Sequence, residues 1–210
     1  MSTSAPSVGL LDRLMDVSFP TLGHFLEQGF AGFHVRAMVP GVKLAGRAAT
    51  LLLADADAVA VIQALAGLRP GDVLVIDTGG DHAHAPVGAV TACAAQATGA
   101  KGIVVDGVVT DILELRGIGL PVFARGTTVL TTKRHGLGTS RFGVPVTCGG
   151  VTVRPGDIVL ADDNGVLFLD EATAASVLDQ ALASDRAEPA ILARLRSGEP
   201  VSAVLLGGPG

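Results

Sequence analysis

The segment from Gly71 to Gly126 constrains the fold more than any other part of the chain. It reads GDVLVIDTGGDHAHAPVGAV and then, from Thr91, TACAAQATGAKGIVVDGVVTDILELRGIGLPVFARG. Apolar, β-branched runs at 73–77 and 102–106 each end in an aspartate that opens a loop. Between and after them, small-residue and amphipathic stretches predict helices over about 89–98 and 110–117, followed by a strand at 121–124. Strands alternating with helices at this spacing predict parallel pairing through crossover connections. Sheets of this kind bind ligands outside the carboxyl ends of their strands, so the loops at 78–88 and 107–109 are where chemistry is expected.

The flanking sequence adds elements of another texture. Residues 1–8 are small and polar and read as a disordered lead-in. Leu10–Met15 has helical spacing, and Thr21 is placed to cap a second helix reaching about Gln28. A strand pattern over 41–53 is interrupted by Gly46, and residues 57–68 read as an amphipathic helix closed by Gly67. VPVTCGGVTV (144–153) predicts a hairpin turning at Gly149-Gly150, and a second hairpin joins 158–161 to 166–169 across Asp162-Asp163-Asn164-Gly165. A terminal helical stretch at 171–197 is expected to break near Pro189. No linker divides the chain, which reads as a single domain over 1–210.

Composition narrows the function classes. The chain is 49% apolar but only 3% aromatic, with no Trp or Tyr, so its core is built of Ala, Val, Leu and Ile. The net charge is −5, and the longest basic cluster is Lys133-Arg134-His135. Neither a basic face nor stacking aromatics are available for nucleic acid. The N-terminus lacks the basic and apolar regions of a secretory signal, and no apolar run approaches the ~18 residues of a membrane span. Cys93 and Cys148 lack CxxC spacing and read as two reduced, buried thiols of a cytoplasmic protein rather than as a disulfide.

The candidate chemistry clusters in the loops. Asp81-His82-Ala83-His84 concentrates titratable groups at a strand's C-terminal end. Either histidine could move a proton near neutral pH, the two could share a metal on an extended loop, or the stretch could be solvated surface. Gly79-Gly80 could offer N–H groups to an anion or simply turn the chain. Asp111 could favour a helix N-terminus or hold a hydrated Mg²⁺. Lys133-Arg134-His135 could clamp an anionic substrate, while Asp162-Asp163-Asn164-Gly165 lacks calcium-loop spacing and reads as a turn.

These residues together resemble the RraA-like family, which includes 4-hydroxy-4-methyl-2-oxoglutarate aldolases, oxaloacetate decarboxylases and regulators of ribonuclease E activity. The similarity is carried by LLDRLMDVSFPTLGHFL, PGVKLAGRAATLL, RPGDVLVIDTGGD, GIVVDGVVTDILELRGIGLPVFARG and VTVRPGDIVLADDNGVLFL, and runs almost the whole length. It implies an α/β fold, a swivelling β/β/α domain with mixed parallel and antiparallel sheets. It also implies a homotrimer or homohexamer with its site between subunits, and Mg²⁺ stabilising a pyruvate enolate in the aldolases. The implied catalytic pattern is an acidic residue after a Gly, twenty intervening residues, then Arg-Asp.

This chain departs from that pattern twice. Gly88 matches the Gly, but the acidic position is Ala89 and the Arg position is Thr110; Asp111 alone is kept. The usual Asp of the second helix is His24, and Glu188 is the loose counterpart of a C-terminal Glu that some aldolases supply to a neighbouring subunit. The expectation is therefore a divergent aldolase-like lyase on a small, carboxylate-bearing 2-oxo or hydroxy acid. His82, His84 and Asp111 are the catalytic candidates, with Gly88, Ala89, Thr110 and Lys133 binding substrate. Mg²⁺ at Asp111 is expected to be weak or absent. The alternative is a non-catalytic, regulatory member that acts by protein contact.

Overall fold

A computed structural model of the chain describes residues 8–206. The expected disordered lead-in lies outside these residues except for Val8, which opens the first helix. In chain order the first elements are α1 (Val8–Met15), α2 (Phe19–Leu22), β1 (Arg36–Ala37), β2 (Leu44–Leu52), α3 (Ala58–Ala66), β3 (Asp72–Asp77), α4 (Ala89–Ala97), β4 (Gly102–Asp106), β5 (Val108–Val109) and α5 (Ile112–Ile118). They are followed by β6 (Val122–Ala124), β7 (Gly126–Thr127), β8 (Arg141–Phe142), β9 (Val146–Cys148), β10 (Val151–Val153), β11 (Ile158–Asp162), β12 (Gly165–Leu169), α6 (Glu171–Arg196) and α7 (Val201–Leu205). The described residues form two compact units, one from 8–26 with 175–206, the other from 27–174.

In the first unit, the helix expected from Thr21 to Gln28 is instead the short α2, with Pro20 in its first turn. The Thr21 side chain does not cap it; its hydroxyl donates to Asp185, whose other oxygen accepts from the Ser18 N–H. α6 runs through Pro189 without the expected break. A single proline removes one N–H from the helical ladder, and the turns on either side can continue.

The second unit is built on one mixed sheet with strand order β1-β6-β4-β3-β2-β11-β12, and β8 also pairs with β2. β2, β3, β4 and β6 are parallel, whereas β1, β8, β11 and β12 pair antiparallel to their neighbours. Period-two alternation sorts the central side chains onto two faces. Leu74, Ile76, Ile103, Val105 and Val122 face one core, shared with Ala64 and Leu65 of α3, Ala92 and Ala95 of α4, and Leu115 of α5. Val73, Val75, Val104 and Phe123 face another, closed by Val146 and Val153 of the β9–β10 hairpin and by Val159 and Phe168. One face is thus covered by helices and the other by strands, giving the β/β/α layering. With both faces buried, truncating a central residue such as Ile103 to Ala costs about 2–5 kcal/mol.

Gly46 does not interrupt β2. A Cβ there would lie 2.7 Å from the Gly71 carbonyl oxygen and 2.7 Å from Val73, so its glycine is explained by the close approach of the neighbouring backbone. The two predicted hairpins form at β9–β10 and β11–β12. In the second, the Asn164 N–H donates to the Asp162 carboxylate at 2.8 Å, which makes that aspartate a turn residue.

Candidate functional site

Beyond the C-terminal ends of β2 and β3 the chain lines an open cavity of about 590 Å³. Its polar wall is Asp55, Thr78, Asp81, His84, Lys133 and His135. Thr78 is fixed by donating its hydroxyl to the Asp106 carbonyl at 2.8 Å. One Asp81 oxygen accepts the N–H groups of Ala83 and His84 at 2.8 and 3.2 Å, an Asx turn that shapes the loop. The other oxygen lies 2.8 Å from His84 Nδ1. Burial pushes the Asp81 carboxyl upward, but the Ala83 N–H and the His84 ring outweigh it and hold it below its ordinary value. A carboxylate at Nδ1 assigns the ring proton there and leaves the Nε2 lone pair free to accept another.

Lys133 and His135 reach the same cavity from a segment anchored to the 54–58 turn. The Lys133 N–H donates to the Ala56 carbonyl at 3.0 Å, and the Ala58 N–H donates to the Lys133 carbonyl at 2.8 Å. Asp55 and Ala56, with φ of 55° and 47°, are successive left-handed residues. Each such conformation costs about 1–2 kcal/mol in an L-residue, a strain accepted where the turn brings these groups together.

Gly88, Ala89, Thr110 and Asp111 meet at a separate corner. Gly88 precedes α4 and has no side chain to cap it. Asp111 takes over that task from 22 residues away, with Oδ2 accepting the Ala89 N–H at 2.9 Å. Its Oδ1 accepts the Thr110 hydroxyl at 3.2 Å. A Cβ on Gly88 would sit 2.5 Å from Asp111 Oδ2 and 2.8 Å from Thr110 Cγ2, so only glycine admits this approach. Asp111 is itself left-handed, with φ 55°.

The cavity therefore brings His84 and Lys133 together. His82 is exposed and is not part of the cavity lining, and Gly88, Ala89, Thr110 and Asp111 form their own cluster outside it. Glu188 is an exposed residue of α6 in the other unit. Asp81, His135 and Asp57 were not singled out from the sequence as individual site residues. An aspartate three positions before a loop histidine was the available signal for Asp81, and an acidic residue just before a helix was the signal for Asp57.

The aspartates that end β3 and β4 are spent on architecture. Asp77 accepts the N–H groups of Gly79 and Thr147, each at 2.8 Å. Asp106 pairs with Arg125 and accepts the Gly149 N–H at 3.1 Å. Burial, followed by the nearby Asp106 and Asp77 charges, pushes the Cys148 thiol far up, so it stays protonated. Cys93, expected to be buried as well, is instead exposed on α4. Among the described residues, no group of three or more His, Cys, Asp or Glu is arranged to hold a metal ion. No helix among them is long and apolar enough to cross a membrane.

Fold and site define an α/β protein with a polar-walled cavity beyond the carboxyl ends of parallel strands. Comparison with known proteins gives its family: residues 13–168 match the RraA-like (Aldolase/RraA) family model, and the chain belongs to that family. A Halalkalibacterium halodurans protein called "Putative 4-hydroxy-4-methyl-2-oxoglutarate aldolase" is 38% identical over 66% of this chain and 65% of its own length. The chain thus matches just under two thirds of that relative. Streptomyces coelicolor RraAS2, described as an unusual member of the RNase ES inhibitor RraA protein family, superposes with a TM-score of 0.76 at 29% identity, over 91% of this chain and 100% of its own. The RNA-processing inhibitor RraA from Thermus thermophilis gives a TM-score of 0.64 at 31% identity, over 72% of this chain and 92% of its own.

Proposed function

We propose that the protein is a divergent aldolase-like lyase that cleaves a small 2-oxo or hydroxy acid carrying a carboxylate. The observation that carries this reading is the Asp81–His84 pair, 2.8 Å apart, in one cavity with Lys133 and His135. Lys133 supplies a fixed positive charge for the substrate carboxylate, replacing the arginine absent at Thr110. His84 Nε2 takes the hydroxyl proton of the substrate. The carbon–carbon bond breaks, its electron pair passes into the enolate of the departing 2-oxo acid, and the proton is returned to carbon. Proton transfer by a positioned histidine contributes about 10²–10⁴-fold.

Magnesium at the Asp111 corner is not part of this reading. Both Asp111 oxygens are occupied by hydrogen bonds from Ala89 and Thr110, and no second carboxylate stands at position 89. Mg²⁺ sites use one or two carboxylates together with substrate oxygens. The reading includes a homotrimer or homohexamer, supported by Val90, Leu113 and Val129, which are 84%, 73% and 98% exposed beside or near this corner. It also includes a cytoplasmic location, supported by two unpaired cysteines.

The test is pyruvate release from 4-hydroxy-4-methyl-2-oxoglutarate, whose hydroxyl carries the proton His84 takes and on which the His84 effect is read, and from oxaloacetate, which loses CO2 to give the enolate without that step. Turnover that survives EDTA and falls about 100-fold or more in His84→Gln is expected. EDTA-abolished turnover, or an unaffected His84→Gln enzyme, overturns the reading. Similarity to RraAS2 over 91% of the chain supports a second reading, a non-catalytic protein that acts by binding a protein partner. Inertness toward both acids by a folded protein favours that one.

A further inference from the structure

Resting on the cavity reading above, we infer that Asp57 is the positioning residue of the site. It holds the cationic segment that carries Lys133 and His135 in place through backbone contacts, without touching the ligand.

None of the side chains from Lys133 to Thr139 is buried, and all seven residues are exposed. A segment without apolar anchors keeps its shape only through hydrogen bonds. Two come from the Ala56 and Ala58 backbone, as described. At its far end the Thr139 hydroxyl donates to Asp55 at 2.9 Å. The support for the stretch from His135 to Leu137, next to Lys133, converges on one other carboxylate. Asp57 is 2% exposed, and its Oδ1 accepts from the N–H groups of Val59 at 2.9 Å and His135 at 3.2 Å. Its Oδ2 accepts from the Leu137 N–H at 3.0 Å. The same side chain therefore caps α3 and grips the loop on either side of Gly136.

The N–H of Gly136 above all, then those of Val59, Leu137 and His135, hold the Asp57 carboxyl below its ordinary value against the opposing effect of burial. The group stays ionised through the neutral range. The strained Asp55–Ala56 turn is what aims it at the loop.

The two duties of Asp57 can be separated by substitution. Asparagine is as good an N-cap as aspartate, so Asp57→Asn keeps the bond to Val59. Its amide nitrogen cannot accept, so one side of the grip on His135 and Leu137 is lost. Alanine loses both.

The probe is oxalate, a small dicarboxylate, titrated by calorimetry at pH 7 into wild type, Asp57→Asn, Lys133→Met and the double variant. Hydrogen exchange is measured at the amides of 135–137. The inference expects oxalate affinity to fall at least tenfold in Asp57→Asn, with faster exchange at 135–137 and a nearly unchanged melting temperature. It also expects Asp57→Asn to weaken binding less than twofold further in the Lys133→Met background, because both changes remove the same interaction. Additive losses, or unchanged oxalate affinity in Asp57→Asn while Lys133→Met still loses it, overturn the positioning role. Oxalate affinity unchanged in Lys133→Met overturns the cavity reading itself, a separate result.

Discussion

Asp111 offers the sharpest perturbation, because it is the one residue of the family's Arg-Asp pattern that this chain keeps and its geometry gives it another job. Its carboxylate receives the Ala89 N–H at 2.9 Å, and its backbone sits at φ 55°. Asp111→Ala removes a helix cap worth about 1 kcal/mol. It also removes a charge at the N-terminus of α4 worth about 0.3–1 kcal/mol, and it places alanine in a left-handed conformation at about 1 kcal/mol or more. Because the residue is exposed, about 2 kcal/mol is the expected total. For a chain of this size that lowers Tm by about 4–8 °C. Asp111→Asn keeps an acceptor and tolerates the left-handed backbone, so less than about 1 kcal/mol is lost. Asp111→Gly relieves the backbone but loses the cap, and falls between the two. Differential scanning calorimetry of the three variants gives the order, and Mg²⁺ titration of wild type and Asp111→Ala completes the assay. The reasoning is refuted if Asp111→Ala melts within ~1 °C of wild type while abolishing a micromolar Mg²⁺ site, the behaviour of a metal ligand with no structural duty.

Three further outcomes are expected. Light scattering at micromolar concentration gives three or six times the 21.1 kDa chain mass, and a monomer alone contradicts the proposed assembly. The Asp81 carboxyl is held below its ordinary value of 3.8, so the stability it lends the 78–84 loop is present above that value and is lost as pH falls through the lower folded one. NMR titration of the Asp81 carboxylate carbon should show its midpoint below 3.8, and a midpoint above that value contradicts this. An aromatic disulfide reagent under native conditions modifies the exposed Cys93 and spares the buried Cys148, which reacts only on unfolding.

The fold was largely legible from sequence. The runs 73–77 and 102–106 became β3 and β4 within a residue, because a strand buried on both faces leaves an unbroken β-branched signature. Both hairpins followed from their turn residues. Where the reading slipped, long-range contact decided: Gly46 is required by Gly71 across the sheet, and Thr21 is engaged by Asp185. The site was less legible for the same reason. His84 and Lys133 were visible as chemistry, but nothing local says that His84 and His82, two positions apart, part company at a cavity wall. Nor does spacing reveal that Asp111 reaches back 22 residues to cap a helix, since tertiary capping has no sequence period.

The two carboxylates that end β3 and β4 also bear on how the chain can change. Asp77 ties to Thr147 across 70 residues and Asp106 to Gly149 across 43, so the β9 strand is pinned to the sheet at two points whatever lies between. The entropy of closing a loop grows only with the logarithm of its length, about 0.6 kcal/mol per doubling. Chain inserted beside the exposed Val129 leaves both pins intact at little thermodynamic cost, whereas deletion within 133–137 would strip the buried Asp57 carboxylate of its His135 and Leu137 donors. Lys133 and His135 of the cavity follow a few residues on. Under the proposed function, extending this one loop is the change that alters substrate preference with the layered core left unaltered.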